Sequence, residues 1–262
     1  MSTQNDHQTF VSAGAAEVRA QGSDPLVAEA TQAWMVATEP HRYSYHFSWL
    51  GLPIIQYPPD IVAIQELLWT IKPDLVIETG VARGGSLMLS ASILALMEVS
   101  EAAESGELID PREPKRRVLG IDIDIRPHNR AAIERHPLSP RISLIEGSSV
   151  DPDIVASVHR FAAEHDRIMV LLDSNHTHQH VRQELEAYAG LTSIGSHCVV
   201  FDTIIERMPP ETYPDRPWGP GDNPATAAKE FLVAHPEFSV DEDIDRRLLI
   251  SVAPGGYLKR EK

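Results

Sequence analysis

A single cysteine in 262 residues, Cys198, leaves no disulfide framework, so stability must come from a buried core. The expected compartment is a reducing cytoplasm. Basic residues are outnumbered, 23 against 38 acids, for a net charge of −15. A chain of that sign lacks the cationic face that nucleic acid or an anionic membrane requires, and neither is expected as a partner. No uninterrupted apolar run approaches the roughly 18–20 residues of a membrane span. The first eight residues are polar, without the basic and apolar regions of a leader, so no signal peptide is expected. Several catalytic signatures are missing too: the G-x-S-x-G nucleophile elbow, the H-E-x-x-H zinc helix, the G-x-G-x-x-G dinucleotide turn and the phosphate loop with its Lys-Ser/Thr ending.

What is present is organised around Asp74-Leu75-Val76-Ile77-Glu78-Thr79-Gly80-Val81-Ala82-Arg83-Gly84-Gly85-Ser86. An apolar run ends in an acid, turns through three glycines and opens into a long apolar helix. Such a unit brings backbone N–H groups and a helix N-terminus to a ligand. Gly80, Gly84 and Gly85 permit positive φ and leave no Cβ in the ligand's way. An acid just before the first glycine suits a ligand with a cationic amino group better than one made of phosphates, and points to S-adenosylmethionine.

Residues 118–122, 142–146, 168–173 and 197–202 read as further strands, separated by helical stretches at 127–135, 151–165 and 178–188. Apolar strands alternating with helices predict a parallel sheet buried on both faces, with a ligand crevice beyond the carboxyl ends of the strands. Glu78, Asp122, Asp173 and Asp202, with the turn at Gly147, then face one crevice. Around this frame, residues 1–25 are expected as a poorly ordered or loosely docked arm, and 26–38 as a helix. The aromatic stretch 43–59, broken by proline and glycine, is expected as an ordered loop that clasps the domain or walls a substrate pocket. Asp60 is expected to cap a helix over 61–70, 98–117 to be a solvated excursion, and the proline-rich 208–224 to be a lid. A helix over 225–234 is capped by Asn223, and 238–240 is expected to pair with 248–252.

Asp122, at a strand end, is placed to accept both ribose hydroxyls of a nucleoside. Asp124 either joins it or caps the turn at 126–128. Gly147-Ser148-Ser149 lies by an adenine or forms an ordinary serine-capped turn. The richest polar cluster is Asp173-Ser174-Asn175-His176-Thr177-His178-Gln179-His180. A carboxylate at the end of a buried strand needs a cation, a metal or donors. Mg2+ takes a few carboxylates plus water and substrate oxygens, which Asp173 and Asp202 from neighbouring strand ends supply. His176 is placed to take a proton from a substrate hydroxyl. His176, His178 and His180 together also admit a zinc site, although the glutamate of the zinc helix is missing. A plain helix start is the simpler reading of His178 and His180, and Cys198 reads as a small core residue.

Several long motifs, in order, closely resemble the cephalosporin hydroxylase / rhamnosyl O-methyltransferase family. They are Phe47-Ser48-Trp49-Leu50-Gly51, Pro53-Ile54-Ile55-Gln56, the Glu78 to Ser86 turn, Gly120-Ile121-Asp122-Ile123-Asp124-Ile125-Arg126-Pro127-His128-Asn129, Leu172-Asp173-Ser174-Asn175-His176-Thr177-His178 and Arg216-Pro217-Trp218-Gly219-Pro220-Gly221. The resemblance implies a Rossmann-like class I methyltransferase fold: a mostly parallel, doubly wound α/β sheet with an antiparallel edge strand. Residues 1–72 would form an N-terminal arm with a helical and aromatic extension, and 73–262 the methyltransferase domain. It implies S-adenosylmethionine on Glu78, Thr79, Gly80, Arg83, Gly84 and Ser86, with Asp122 and Asp124 at the ribose and Gly147, Ser148 and Asp173 around the remainder. It also implies Mg2+ at Asp173 and Asp202, His176 as general base beside Asp173, and a hydroxylated small-molecule acceptor from natural-product or sugar chemistry. Relatives carry two consecutive acids at the end of the fifth strand; here Phe201 precedes Asp202, leaving the second ligand position to Glu206 or water. The aromatic surface of 43–57 leads us to expect a homo-oligomer. Two other readings stay open: a non-catalytic partner that keeps the cofactor fold and assists another tailoring enzyme, and a hydroxylase using Asp173, His176 and His180 as a facial set.

Overall fold

The computed structural model describes residues 3–262. Helices α1 (Thr3–Gly22) and α2 (Pro25–Thr38) lead to a short hairpin, β1 (Phe47–Trp49) and β2 (Leu52–Ile54), and then to α3 (Pro58–Ile71). The alternating part comprises β3 (Leu75–Thr79), α4 (Gly85–Ser105), β4 (Arg117–Asp122), α5 (Pro127–Glu134), β5 (Ile142–Glu146), α6 (Pro152–Ala162), β6 (Ile168–Leu172), α7 (His178–Tyr188) and β7 (His197–Val200). It closes with α8 (Pro224–Ala234), β8 (Phe238–Val240), α9 (Glu242–Leu248) and β9 (Tyr257–Arg260).

Seven strands form one sheet in the order β5-β4-β3-β6-β7-β9-β8. The first five are parallel, β9 is antiparallel to β7, and β8 is antiparallel to β9. Strand order reverses between β3 and β6, and the carboxyl ends on either side of that switch point form the crevice. All residues of β3 and β6 are buried because helices cover both faces. Alternate residues feed two cores: Val76 packs with Leu87, Met88 and Leu94 of α4, whereas Leu75 and Ile77 pack with Val158, Leu185 and Phe231 of α6, α7 and α8.

Local signals start the helices. Asp151 accepts from the N–H groups of Asp153 (2.9 Å) and Ile154 (3.4 Å) ahead of α6. Asn223 and Thr226 form a capping box on α8, with Pro224 at the first turn. α4 is long and apolar enough to cross a membrane by length and composition, with mean hydropathy 1.4, yet 56% of that window is buried inside the fold, as a core helix requires.

Four expectations are corrected. Residues assigned to a loose arm form α1, which packs on α9 and is tied there by Gln21 Nε2 donating to the Arg246 carbonyl at 2.9 Å. α4 runs through Ser105, so the first part of the expected solvated excursion is helical. Its Glu98, 5% exposed, takes both arms of Arg141, 3% exposed, at 2.7 and 2.6 Å. Asp60 caps nothing: α3 begins two residues earlier, with Tyr57 at its N-cap. The fully buried Asp60 instead accepts from Ser251 Oγ (2.6 Å), Tyr257 OH (2.7 Å) and Val252 N–H (2.9 Å), and burial against these donors leaves its carboxyl pushed up to about 6. Because Asp60 takes the Val252 N–H and Leu249 turns at φ 59, residues 248–252 cannot form a ladder, and β8 pairs with β9.

The Glu98–Arg141 pair yields a stability prediction, since removing one partner strands a buried charge. Arg141→Met is expected to lower the unfolding free energy by about 3–5 kcal/mol. The double variant Glu98→Met/Arg141→Met should recover most of the loss in urea denaturation. A double variant as unstable as the sum of its singles would refute the coupling.

Candidate functional site

The crevice is built from the turn after β3. Gly80 turns at φ 89, and a Cβ there would lie 1.9 Å from the Asp173 carbonyl oxygen, so no larger residue fits. A Cβ on Gly85 would lie 2.3 Å from the Pro53 carbonyl of β2, and one on Gly84 2.6 Å from Ile133. The space that three glycines were expected to clear for a ligand is therefore filled by the protein's own atoms. Which neighbours close on the turn depends on the hairpin and on the chain after β6, both remote in sequence.

Asp122, at the end of β4, reaches back over this turn. Its Oδ2 accepts from the N–H groups of Val81 (2.8 Å) and Ala82 (3.1 Å), and its Oδ1 from that of Asp124 (3.1 Å). Asp122 thus holds the glycine turn to the neighbouring strand end. Asp124 is exposed, lies 3.8 Å from the Arg126 Nε, and does not cap α5, whose start has no side-chain cap. Arg83 is exposed on the same turn, and Thr79 is buried below it. Gly147 donates its N–H to the Asp122 carbonyl at 2.8 Å, bringing the end of β5 alongside. The Ser148 carbonyl accepts from the Asp151 N–H at 2.9 Å, and the Ser149 hydroxyl lies 3.1 Å from His180 Nε2.

Glu78 is 1% exposed. Ser86 Oγ donates to its Oε1, while its Oε2 has no partner. Burial, opposed by that hydrogen bond, pushes the carboxyl up to about 8. Glu78 lines a cavity of about 10 Å³ with Gln56, Asp60, Asp173 and Phe201. Gln56 Nε2 donates to Asp173 Oδ2 at 3.0 Å.

Asp173, His176 and Asp202 converge: one ligand atom from each lies within 4.8 Å of the others, the one such group found among the described residues. His176 Nε2 is 3.5 Å from Asp202 Oδ2. Asp202 follows β7 in a left-handed conformation, φ 57, that turns the chain into the short helix Thr203–Arg207. Burial, then the charges of Asp202 and Glu78, hold the Asp173 carboxyl well above the usual carboxylate range. Phe201 is 5% exposed and belongs to the core. Glu206 does not replace the missing acid; it accepts from the Gly221 N–H (2.8 Å) and Asn223 Nδ2 (2.5 Å), pinning the base of the proline-rich stretch. The histidine alternatives dissolve. His178 faces Thr226 (2.8 Å) and Glu230 (3.0 Å), and His180 faces Ser149, Ser174 and Glu184, so neither the zinc trio nor the Asp173–His176–His180 set forms.

The proline-rich stretch brings Trp218 edge-on to His176, with ring centres 4.8 Å apart. From the other side comes the aromatic segment, where Tyr43 packs on Trp34 (4.9 Å) and Tyr57 (5.7 Å), and Trp49 Nε1 donates to Ser92 Oγ of α4 at 2.9 Å. It is a clasp, and it also closes on the acids. Burial, then Glu39 and Asp202, push the Tyr57 phenol up to about 12. Burial followed by the same two acids raises Tyr213. Glu39 itself is raised by burial and by Asp202. Glu39 and Tyr213 were missed from sequence, where nothing marks a lone acid after a helix or a lone tyrosine among prolines.

A switch point flanked by strand-end acids, with a glycine turn opening the first helix beyond it, defines the Rossmann-like class I methyltransferase fold. The chain belongs to the Rhamnosyl O-methyltransferase/CmcI family, whose pattern it matches over residues 41–261. It is 27% identical over 236 residues to a rhamnosyl O-methyltransferase of Mycobacterium tuberculosis, covering 86% of this chain and 85% of that one. The Mycobacterium leprae rhamnosyl O-methyltransferase is 28% identical over 181 residues, covering 66% and 70%. Among solved structures, apo CmcI aligns with a TM-score of 0.52 at 20% identity over 83% of this chain and 77% of that one. CmcI with Mg and S-adenosylmethionine gives 0.51 at 20% identity over 82% and 77%. These two share the fold.

The buried acids set a pH dependence of stability. Glu78 sits above its ordinary value of 4.5 in the folded chain, so its contribution is fully present below that value and is lost as pH rises through about 8. Asp60 and Asp173, also raised, act in the same direction. The unfolding free energy of the ligand-free protein should fall between about pH 5 and 8, with Glu78 contributing up to about 1.4 kcal/mol per pH unit. Glu78→Gln should flatten the slope in chemical denaturation, and an unchanged slope would exclude a raised Glu78.

Proposed function

We propose that this chain is an S-adenosylmethionine-dependent O-methyltransferase that acts on a hydroxyl of a sugar-containing small molecule with help from Mg2+. The observation that carries the reading is the convergence of Asp173, His176 and Asp202 beside the glycine turn. The residues present fit both groups. A buried carboxyl with one oxygen lacking a partner, Glu78, lies at the base of the turn and suits the ammonium of a methionine moiety. Two carboxylates from neighbouring strand ends suit a hard divalent cation. The rhamnosyl acceptors in the names of the mycobacterial relatives favour a deoxysugar hydroxyl.

In this reading Asp173 and Asp202 would hold Mg2+, which when bound would supply Lewis acidity that lowers the pKa of the acceptor hydroxyl. His176 takes the hydroxyl proton at Nε2, and Asp202 at 3.5 Å stabilises the imidazolium that results. Trp218, edge-on to the ring, keeps the imidazole from swinging out of line. Asp122 fixes the glycine turn through Val81 and Ala82, and the lone pairs these bonds leave on its carboxylate would accept the ribose hydroxyls. Holding acceptor oxygen and methyl donor in line supplies a large share of the acceleration.

A second reading comes from the same geometry: His176, within 4.8 Å of both carboxylates, is a third metal ligand rather than the base. His176→Ala and Asp173→Ala should each reduce turnover by at least about 10²-fold, with S-adenosylmethionine binding retained in calorimetry. Full activity in either variant would sink the assignment. Mg2+ affinity unchanged in His176→Ala supports the base, whereas a large loss supports the ligand. Turnover of hydroxylated glycosides should vanish with EDTA and return with Mg2+. A protein that binds the cofactor and methylates no glycoside, with or without metal, would instead be a non-catalytic partner. Asp122→Ala is expected to weaken cofactor binding about tenfold, the loss of one charge-assisted contact.

A further inference from the structure

The mouth of the site carries a charge arrangement that methyl transfer to a plain hydroxyl does not require. Two segments far apart in sequence meet there: the turn around Glu39 to His46, and the proline-rich stretch around Tyr213 to Trp218, near enough that burial, then Glu39, Asp202, Tyr57 and Tyr45, raise the Tyr213 phenol. Each presents an arginine over an aromatic ring. The Arg42 guanidinium lies 4.0 Å from the centre of the Tyr45 ring, and that of Arg216 lies 5.2 Å from the Trp218 ring. Both arginines are exposed, and among the described residues neither guanidinium makes a close ion pair or a hydrogen bond, although Arg42 lies near enough to Glu39 to pull its pKa down. Stacking orders a guanidinium while leaving its N–H edge free for a planar anion. Arg42 holds its place in a left-handed conformation, φ 53, that costs a side-chain-bearing residue energy.

Inward from this rim the sign reverses. Trp218 touches His176, and behind it lie Asp173 and Asp202, with the Glu39 pKa held up by burial and by the nearby Asp202 against the opposing pull of Arg42. The two guanidiniums attract an anion to the rim, whereas the carboxyls behind it offer an anion no partner; a neutral hydroxyl can pass between them. A field of this shape orients a ligand that is polar and uncharged at one end and negative at the other.

We propose that the methyl acceptor carries an anionic group, a phosphate or a carboxylate, in addition to its reacting hydroxyl, and that Arg42 and Arg216 hold that group at the rim. This rests on the reading that the hydroxyl sits at Asp173, His176 and Asp202. The acceptor class is then an anionic glycoside: either a sugar linked to phosphate or a uronic acid derivative.

The test measures binding rather than turnover. The full chain, metal-free and saturated with S-adenosylhomocysteine, is titrated by calorimetry with phenyl phosphate, phenyl glucuronide and neutral phenyl glucoside. At least one anionic probe should bind about tenfold more tightly than the glucoside, and Arg42→Gln and Arg216→Gln should each remove about tenfold of its affinity, the size of one charge-assisted hydrogen bond. Asp202→Asn should leave anion binding unchanged or tighten it. Preference for phenyl phosphate identifies the phosphate source, and preference for the glucuronide the uronic acid. The glucoside binding as well as the anions, or anion affinity indifferent to both arginines, overturns the proposal. Its failure is separable from that of the methyltransferase reading. Methylation of neutral glycosides without any anion preference refutes this inference alone; arginine-dependent anion binding without methylation of any glycoside refutes the other alone.

Discussion

The constraint on which the rest of the structure depends is the burial of carboxyl groups at the carboxyl ends of a parallel sheet. Glu78 lies one residue before the end of β3 with one oxygen lacking a partner, and Asp173 follows β6 with Gln56 donating to its Oδ2. Desolvating such groups without a cation is costly, and the protein meets part of that cost by raising their pKa values, so that the ligand-free crevice tends to hold protons. A cationic ligand would then displace protons as it enters. The ammonium and sulfonium of S-adenosylmethionine, and a divalent cation, are charges of the kind such a crevice lacks.

Most of the supporting structure can be understood as keeping those acids in place. Asp122 ties the glycine turn to β4, the β2 backbone closes on Gly85, and the Asp173 backbone closes on Gly80. Asp60 links α3 to the chain ahead of β9 and lines the same small cavity as Glu78 and Asp173. The C-terminal strand, the N-terminal hairpin and the glycine turn are therefore drawn together, although they are far apart in sequence.

This explains which features could be read directly from the chain. β3, β4, β6 and β7 were legible because a strand buried on both faces is nearly apolar throughout, and the convergence of Asp173 and Asp202 was legible because both follow such strands; the backbone N–H groups that Asp122 takes were not. His176 followed from its spacing to Asp173. The failures have a common cause in long-range contact. Asp60 carries the local signature of a cap, and only the fold delivers Ser251, Val252 and Tyr257 to it. Glycines after a strand look the same whether a ligand or a Pro53 carbonyl fills the space. Glu39 and Tyr213 bear no motif, and become part of the site because two segments separated by more than half the chain converge on Asp202.

Phe201, where the family resemblance led us to expect an acid, also finds a physical place. Phe201 packs into the core on the α4 side, with Met208 and Tyr57 in the same cluster, so it supports the wall from which Tyr57 faces Asp202. An acid there would add a further charge to a crevice where Glu78 and Asp173 already lack counter-ions, and would raise both further. Glu39 approaches Asp202 from an N-terminal segment that also carries Arg42, whose charge opposes the rise in the Glu39 pKa. The acid nearest Asp202 from outside the sheet thus lies on a segment remote in sequence, and the pair of carboxylates at Asp173 and Asp202 is left without a third acid on the β7 strand end.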